Sequence, residues 1–224
     1  MPKLILFDID GTLIDSGGAG SRALASAFGD VFSVKDAFRD ISMAGKTDLQ
    51  IVKEAIYVHG MPPDESATAS VINSYLRHLS REIGTSKKYV MPGVVDILRK
   101  MDDTEGCWSG LLTGNIQEGA RIKLDALGLS DHFMCGAFGS DDEDRNKLLP
   151  IALKNFTDST GLDLSYGDCT VIGDTPRDVE CSKPYGAKAV AVSTGPYSYE
   201  SLMATDADLV VDSLEHIIES LFAL

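Results

Sequence analysis

The sequence predicts an α/β protein with a doubly wound, parallel, Rossmann-like sheet and a helical insertion after its first strand. Three observations predict it. Short, almost wholly apolar runs recur along the chain, as strands buried on both faces require. Amphipathic helical stripes separate those runs, and alternation of this kind builds a parallel sheet covered on both sides. From about residue 20 to 86 the alternation stops, and helical stripes follow one another with no convincing strand between them.

Taken in order, residues 3–7 (Lys-Leu-Ile-Leu-Phe) form the first strand, ended by Asp8-Ile9-Asp10-Gly11-Thr12. The stretch Gly17-Gly18-Ala19-Gly20 makes a hinge into the insertion. The stripes Leu24/Phe28/Val31/Phe32, Leu49/Val52/Ile56 and Ile72/Leu76/Leu79/Ile83 make its three helices. A second hinge is expected near 84–91. After Pro92-Gly93, the residues Val94, Ile97, Leu98 and Met101 fall at i, i+3, i+4 and i+7 of another helix.

A strand at 108–112 leads into Thr113-Gly114-Asn115. The next helix carries the stripe Ile116/Ala120/Leu124/Leu127, is closed by Gly128, and is expected to start with an Asn115–Glu118 capping box. A strand at 133–138 precedes the charged segment 141–147 and a helix opened around Pro150. The strand at 168–172 runs into Gly173-Asp174-Thr175-Pro176-Arg177-Asp178, where Thr175 suits an N-cap, Pro176 the first helical position and Asp178 the third. Strands at 188–192 and 208–211 and the stripe Leu214/Ile217/Ile218/Leu221 complete the chain. The expected domains are residues 1–15 and 89–224 for the sheet-containing core and 16–88 for the helical insertion.

Composition narrows the function. With 20 Lys+Arg against 34 Asp+Glu the formal charge is −14, which disfavours a nucleic-acid partner, since a polyphosphate backbone needs a broad basic face. No apolar run reaches the roughly 18 residues of a membrane span. The apolar stretch at the N-terminus is too short for a secretory signal, so a cytoplasmic protein is expected. Four cysteines without CxxC spacing suit reduced core thiols.

In an open parallel sheet, ligands bind beyond the carboxyl ends of the strands. The polar residues expected there include three to four carboxylates, whose mutual repulsion calls for a compensating cation. A hard divalent ion such as Mg²⁺, which takes oxygen ligands, is the natural one. Thr113-Gly114-Asn115 stands at a strand-to-helix junction, where main-chain N–H groups and the threonine hydroxyl suit an anion.

The constellation resembles the haloacid dehalogenase superfamily, in particular its magnesium-dependent phosphatases of the phosphoglycolate phosphatase-like kind. Asp8-Ile9-Asp10-Gly11-Thr12 matches the family's first motif, Thr113 its second, and Gly173-Asp174-Thr175 through Asp178 its fourth. The helical insertion lies where the family carries its cap. The resemblance implies an aspartyl-phosphate formed on Asp8 and a general acid/base at Asp10. It implies a phosphate contact at Thr113, with Gly114 and Asn115 beside it. It further implies Mg²⁺ held by Asp8, the main chain of Asp10, and Asp174.

The third motif departs from the pattern. Arg145 stands where the family usually has a lysine, and Lys147 is its rival; a guanidinium is always charged and can fork onto phosphate. In the cap, the loop Gly45-Lys46-Thr47-Asp48 offers Lys46 and Thr47 as substrate contacts, with helix capping by Thr47 or Asp48 as the alternative. Asp178 is divided between capping and orienting the metal shell. The implied activity is hydrolysis of a small phosphomonoester, such as phosphoglycolate or a sugar phosphate. A sugar phosphomutase of the β-phosphoglucomutase type is the nearest rival, and a non-catalytic phosphoacceptor or scaffold domain a more distant one. The implied partner is a small phosphorylated metabolite.

Overall fold

The first apolar run is buried from Leu4 to Phe7, and its residues alternate between two separate apolar clusters: Ile5 and Phe7 join one, Leu4 and Leu6 the other. That division is what a strand in the middle of a sheet covered on both faces requires. The computed structural model describes residues 2–62 and 64–221. Strand β1 (Lys3–Phe7) and the two-residue strand β2 (Ile14–Asp15) lead into helices α1 (Ala19–Phe32), α2 (Asp48–Val58) and α3 (Glu65–Thr85). A second two-residue strand, β3 (Tyr89–Val90), leads back out. Then follow α4 (Val94–Asp102), β4 (Cys107–Thr113), α5 (Gln117–Asp125), β5 (Cys135–Phe138), α6 (Leu148–Thr160) and β6 (Cys169–Gly173). The chain ends with α7 (Pro176–Ser182), β7 (Lys188–Val192), α8 (Tyr199–Met203), β8 (Leu209–Val211) and α9 (Ile218–Leu221).

The six longer strands form one sheet in the order β5-β4-β1-β6-β7-β8, with every pairing parallel. After β1 the chain winds outward through β4 and β5, then crosses to β6 and winds the other way. The crevice of this doubly wound sheet therefore opens at the carboxyl end of β1, between β4 and β6. The predicted α/β class and all six predicted strands are present, with ends displaced by two residues at most.

Helices α1, α2 and α3 bury a cluster of their own, with Phe28, Val52, Val71, Tyr75 and Leu79 at its centre. Ile116 of the core also joins that cluster, so the helical segment seats on the start of α5. At the hinge, Ile14 pairs with Val90 and Asp15 with Tyr89 in an antiparallel ladder that ties the ingoing and outgoing chains together. Pairs of two residues carry no readable periodicity, so the sequence offered no sign of them. Gly17 has φ +61° and its α-carbon abuts the Lys87 carbonyl, where a Cβ would sit 2.4 Å from the oxygen.

Two local expectations are corrected. The last stripe is a 3₁₀ turn over Leu214–Ile217 followed by the short α9, although Leu214, Ile217 and Leu221 are buried as expected. The Asn115–Glu118 capping box is absent. Helix α5 begins after Ile116 with no side-chain cap from its own segment, because Asn115 is drawn into the polar cluster described next. The first free N–H of that end, on Ile116, donates instead to Asp48 of α2 at 3.0 Å.

Candidate active site

Register assembles the site. Phe7 lies beside Leu111 of β4 and Ile172 of β6, so the residues just beyond these strands meet at one edge of the sheet. The Asp8 N–H continues the ladder to the Ile172 carbonyl at 2.9 Å. Asp8, Thr113 and Asp174 consequently converge, all buried.

The Thr113 hydroxyl bonds to the Asp8 carboxylate and accepts the Asn115 amide at 2.9 Å. Burial pushes the Asp8 carboxyl above its ordinary value; Arg145 opposes that and Asp178 adds to it. Asp174 is pushed up further, by burial and by the charges of Asp8 and Asp178. The Thr12 hydroxyl donates to Asp174 at 3.2 Å.

Asp10 faces the other way. Its side chain is 40% exposed toward the cavity, and its carboxylate accepts Lys123 Nζ at 2.5 Å, Asn115 Nδ2 at 2.9 Å and the Ser16 hydroxyl at 3.2 Å. Burial alone would raise this carboxyl, but Lys123 outweighs it, with help from the hydrogen bonds, and holds it below the usual carboxylate range.

Lys123 is the residue of this site that sequence reasoning missed. Its ammonium also donates to Asn115 Oδ1 at 2.6 Å, and the side chain is buried. The signal was present: Lys123 falls at i+7 from Ile116, on the apolar stripe of α5, where a solvated lysine does not belong.

Of the two candidate cations, Arg145 is in the site and Lys147 is not. The Arg145 guanidinium is buried 3.3 Å from Asp8 and hydrogen-bonds Asp178, with further contacts to the Gly45 and Leu112 carbonyls. Burial would lower its proton affinity, but Asp178 and Asp8 raise it beyond the ordinary value, so it stays charged. Lys147 is 60% exposed and paired with Asp142. Asp178 serves the capping role considered for it and, beyond that, carries Arg145. One oxygen closes the capping box with Thr175 at 2.8 Å, and the other holds Arg145. Gly173 permits this close approach, since a Cβ there would lie 2.0 Å from the Asp178 carboxyl carbon.

The predicted cap-loop residues separate. Lys46 lines the cavity, with its ammonium paired to Glu54. Thr47 is fully buried, caps α2 by accepting the Gln50 N–H, and donates to the Glu143 carbonyl at 2.8 Å. Its hydroxyl is thereby committed to holding the loop in place. Gly114 is the loop's docking point: its carbonyl accepts the Asp48 N–H at 2.8 Å, and a Cβ on it would sit 2.2 Å from the Lys46 carbonyl oxygen.

Oxygens of Asp8, Asp174 and Asp178 lie within 4.8 Å of one another, all three side chains buried. One guanidinium against three buried carboxylates leaves an uncompensated negative charge. An all-oxygen donor set in that electrostatic state fits a hard divalent cation. A cavity of about 310 Å³ opens over this edge, lined by both motif-one aspartates, Arg145, Lys46, Tyr75 and Lys123.

A family model for haloacid dehalogenase-like hydrolases matches residues 2–184. The chain belongs to that family. The chain is also 30% identical over 219 residues to a phosphoglycolate phosphatase of Rhodospirillum rubrum, a match spanning 95% of this chain and 88% of that one. Among solved structures, a hydrolase from Pseudomonas syringae shares the fold with a TM-score of 0.77 at 22% identity, covering 100% of this chain and 99% of its own. A β-phosphoglucomutase from Clostridium difficile does so with a TM-score of 0.74 at 18% identity, covering 100% and 96%. The expectation of an enzyme, a phosphatase of the haloacid dehalogenase-like family, holds. Among the described residues no helix is long and apolar enough to cross a membrane.

Proposed function

We propose that this haloacid dehalogenase-like hydrolase cleaves a small phosphomonoester through an aspartyl-phosphate on Asp8, with the helical segment 16–88 as a cap over the site. The observation that carries this is the pairing of two unlike carboxylates at the end of β1. Asp8 sits buried against Arg145 and Thr113, whereas Asp10 faces the cavity in the grip of Lys123 and Asn115. Carboxylates in environments that push their proton affinities apart suit a nucleophile and an acid/base.

Arg145 receives the phosphoryl group, the Thr113 O–H turns from the Asp8 carboxylate to a phosphoryl oxygen, and an Asp8 oxygen attacks phosphorus in line with the ester oxygen. As that P–O bond breaks, the leaving oxygen takes a proton from Asp10. Asp10 rests ionised beside Lys123, so its proton arrives with the substrate: a phosphomonoester loses its second proton only near pH 6, and its negative charge raises the affinity of Asp10 for a proton. Once the alcohol departs, Asp10 is again a carboxylate. It then deprotonates the water that attacks phosphorus and frees Asp8.

Asp8, Asp174 and the main-chain carbonyl of Asp10 would hold Mg²⁺, with Asp178 completing the acidic wall; when bound, the ion neutralises charge on the phosphoryl oxygens. The cap loop, docked on Gly114, closes the cavity over a leaving group of metabolite size.

The test is release of inorganic phosphate from p-nitrophenyl phosphate with and without Mg²⁺. Activity is expected only with the metal and is expected to vanish in Asp8→Asn. Turnover surviving in Asp8→Asn would overturn the mechanism. Conversion of a hexose 1-phosphate to its isomer without phosphate release would point to the mutase instead.

A further inference from the structure

We infer that Tyr75, Lys123 and Gly20 form a subsite for a neutral hydroxyl on the leaving group, so that the enzyme selects hydroxylated alkyl or sugar phosphates over phosphorylated carboxylic acids. This rests on the phosphatase proposal above.

Tyr75 is fully buried on α3, it lines the cavity, and its hydroxyl meets no protein hydrogen-bond partner among the described residues. Leaving a buried hydroxyl unpaired costs stability. A side chain there is explained if the missing partner arrives with the substrate. Lys123 Nζ spends two of its three N–H donors, on Asp10 and Asn115, and has one left. Gly20 marks where the two groups meet. A Cβ built on it would lie 3.2 Å from Lys123 Nζ and 3.8 Å from the Tyr75 hydroxyl, so the bare glycine keeps open the space between them. Lys123 is bonded to the carboxylate assigned to the leaving oxygen, which puts this space beside the first atoms of the leaving group.

Charge decides which oxygen the subsite accepts. The Lys123 ammonium is already balanced by Asp10, and Lys46, the other cation nearby, is balanced by Glu54. Burial raises the Tyr75 phenol, and Asp48, a further buried carboxylate, adds to that rise together with Asp10. A substrate carboxylate would be one more negative charge beside two lysines, Lys123 and Lys46, whose charges are already matched. A hydroxyl accepts the free N–H of Lys123, exchanges a second hydrogen bond with Tyr75, and brings no charge to desolvate.

A matched series tests this: ethyl phosphate, 2-hydroxyethyl phosphate and phosphoglycolate, assayed by phosphate release. The hydroxylated ester is expected to exceed both others in kcat/KM by about tenfold, the worth of one or two hydrogen bonds that only it can make. In Tyr75→Phe the preference for 2-hydroxyethyl over ethyl phosphate is expected to fall about fivefold through KM. Gly20→Ala, which fills the space without removing a polar group and suits a helix, is expected to lower the same ratio. Preference for phosphoglycolate, or a hydroxyethyl-to-ethyl ratio unchanged in both variants, would overturn the inference while leaving the phosphatase proposal standing. Failure to hydrolyse any of the three by enzyme that releases phosphate from p-nitrophenyl phosphate would overturn the inference alone, and inactivity on all four would overturn both.

Discussion

Removing Arg145 should separate the two tasks that one buried guanidinium performs here. It lies 3.3 Å from Asp8 and also bonds Asp178, with the side chain 5% exposed. At an effective dielectric of about 20, charges at that separation attract by about 5 kcal/mol before desolvation is counted. Arg145→Ala leaves Asp8 and Asp178 buried without their cation, a loss that typically costs about 3–5 kcal/mol. For a protein of this size that corresponds to a melting temperature lower by roughly 6–20 °C in EDTA at neutral pH. Saturating Mg²⁺ should return part of the loss, because a divalent ion bound to the same carboxylates also neutralises them. Turnover should not return with it. In the proposed mechanism the guanidinium meets charge on the transferring phosphoryl group, and loss of such a contact lowers kcat by about 10²–10³-fold. The paired assays are a thermal melt in EDTA and in Mg²⁺, and p-nitrophenyl phosphate hydrolysis in Mg²⁺. Near-normal turnover, or an unchanged melt in EDTA, would refute the assignment.

Burial raises the Asp8 and Asp174 carboxyls, so protonation favours the folded, metal-free state. Their contribution is complete below the ordinary value of 3.8 and is lost as pH climbs through the raised values. The melting temperature in EDTA should therefore fall from about pH 4 upward, up to about 6 for Asp8 and about 9 for Asp174, and the stabilisation added by Mg²⁺ should grow over the same window. Asp10 has the opposite sign, but its lowered value puts its effect below this window. Lys123→Met should move Asp10 upward, shift the acid limb of the pH–rate profile to higher pH and lower kcat by about 10²-fold; an unmoved limb would show that Lys123 does not set Asp10. Gly114→Val puts side-chain carbon within 2.2 Å of the Lys46 carbonyl. It should displace the cap loop, raise KM for small phosphomonoesters and cost about 1–3 kcal/mol of stability; calorimetry and KM measurements check this.

The legibility of the site followed the physics of its parts. Asp8, Asp10, Thr113 and Asp174 follow apolar runs, and in a parallel sheet the residue after a strand is fixed in space by hydrogen-bond register. Arg145 was recoverable by its distance from the helix around Pro150, although Lys147, two residues on, has the same charge; only packing put one inside and the other in water. Asn115 was read as a cap, but its side chain is taken by Asp10, 105 residues earlier in the chain, and by Lys123, two turns along α5.

What the sequence by itself determined is the alternation that makes a doubly wound sheet, the helical insertion after its first strand, and the identity of the residues at the strand ends. Those features are local, set by periodicity and by which residues follow each run. What only the tertiary structure decided is how the cap loop docks on Gly114, why Lys123 grips Asp10, and that Tyr75 points an unpaired hydroxyl at the same cavity. Each of those depends on contacts between distant segments: the cap loop with the residue after β4, α5 with the loop after β1, and α3 with α1 and α5. Side-chain contacts between segments far apart in the chain leave no period in the sequence, and they appear only once packing brings the segments together.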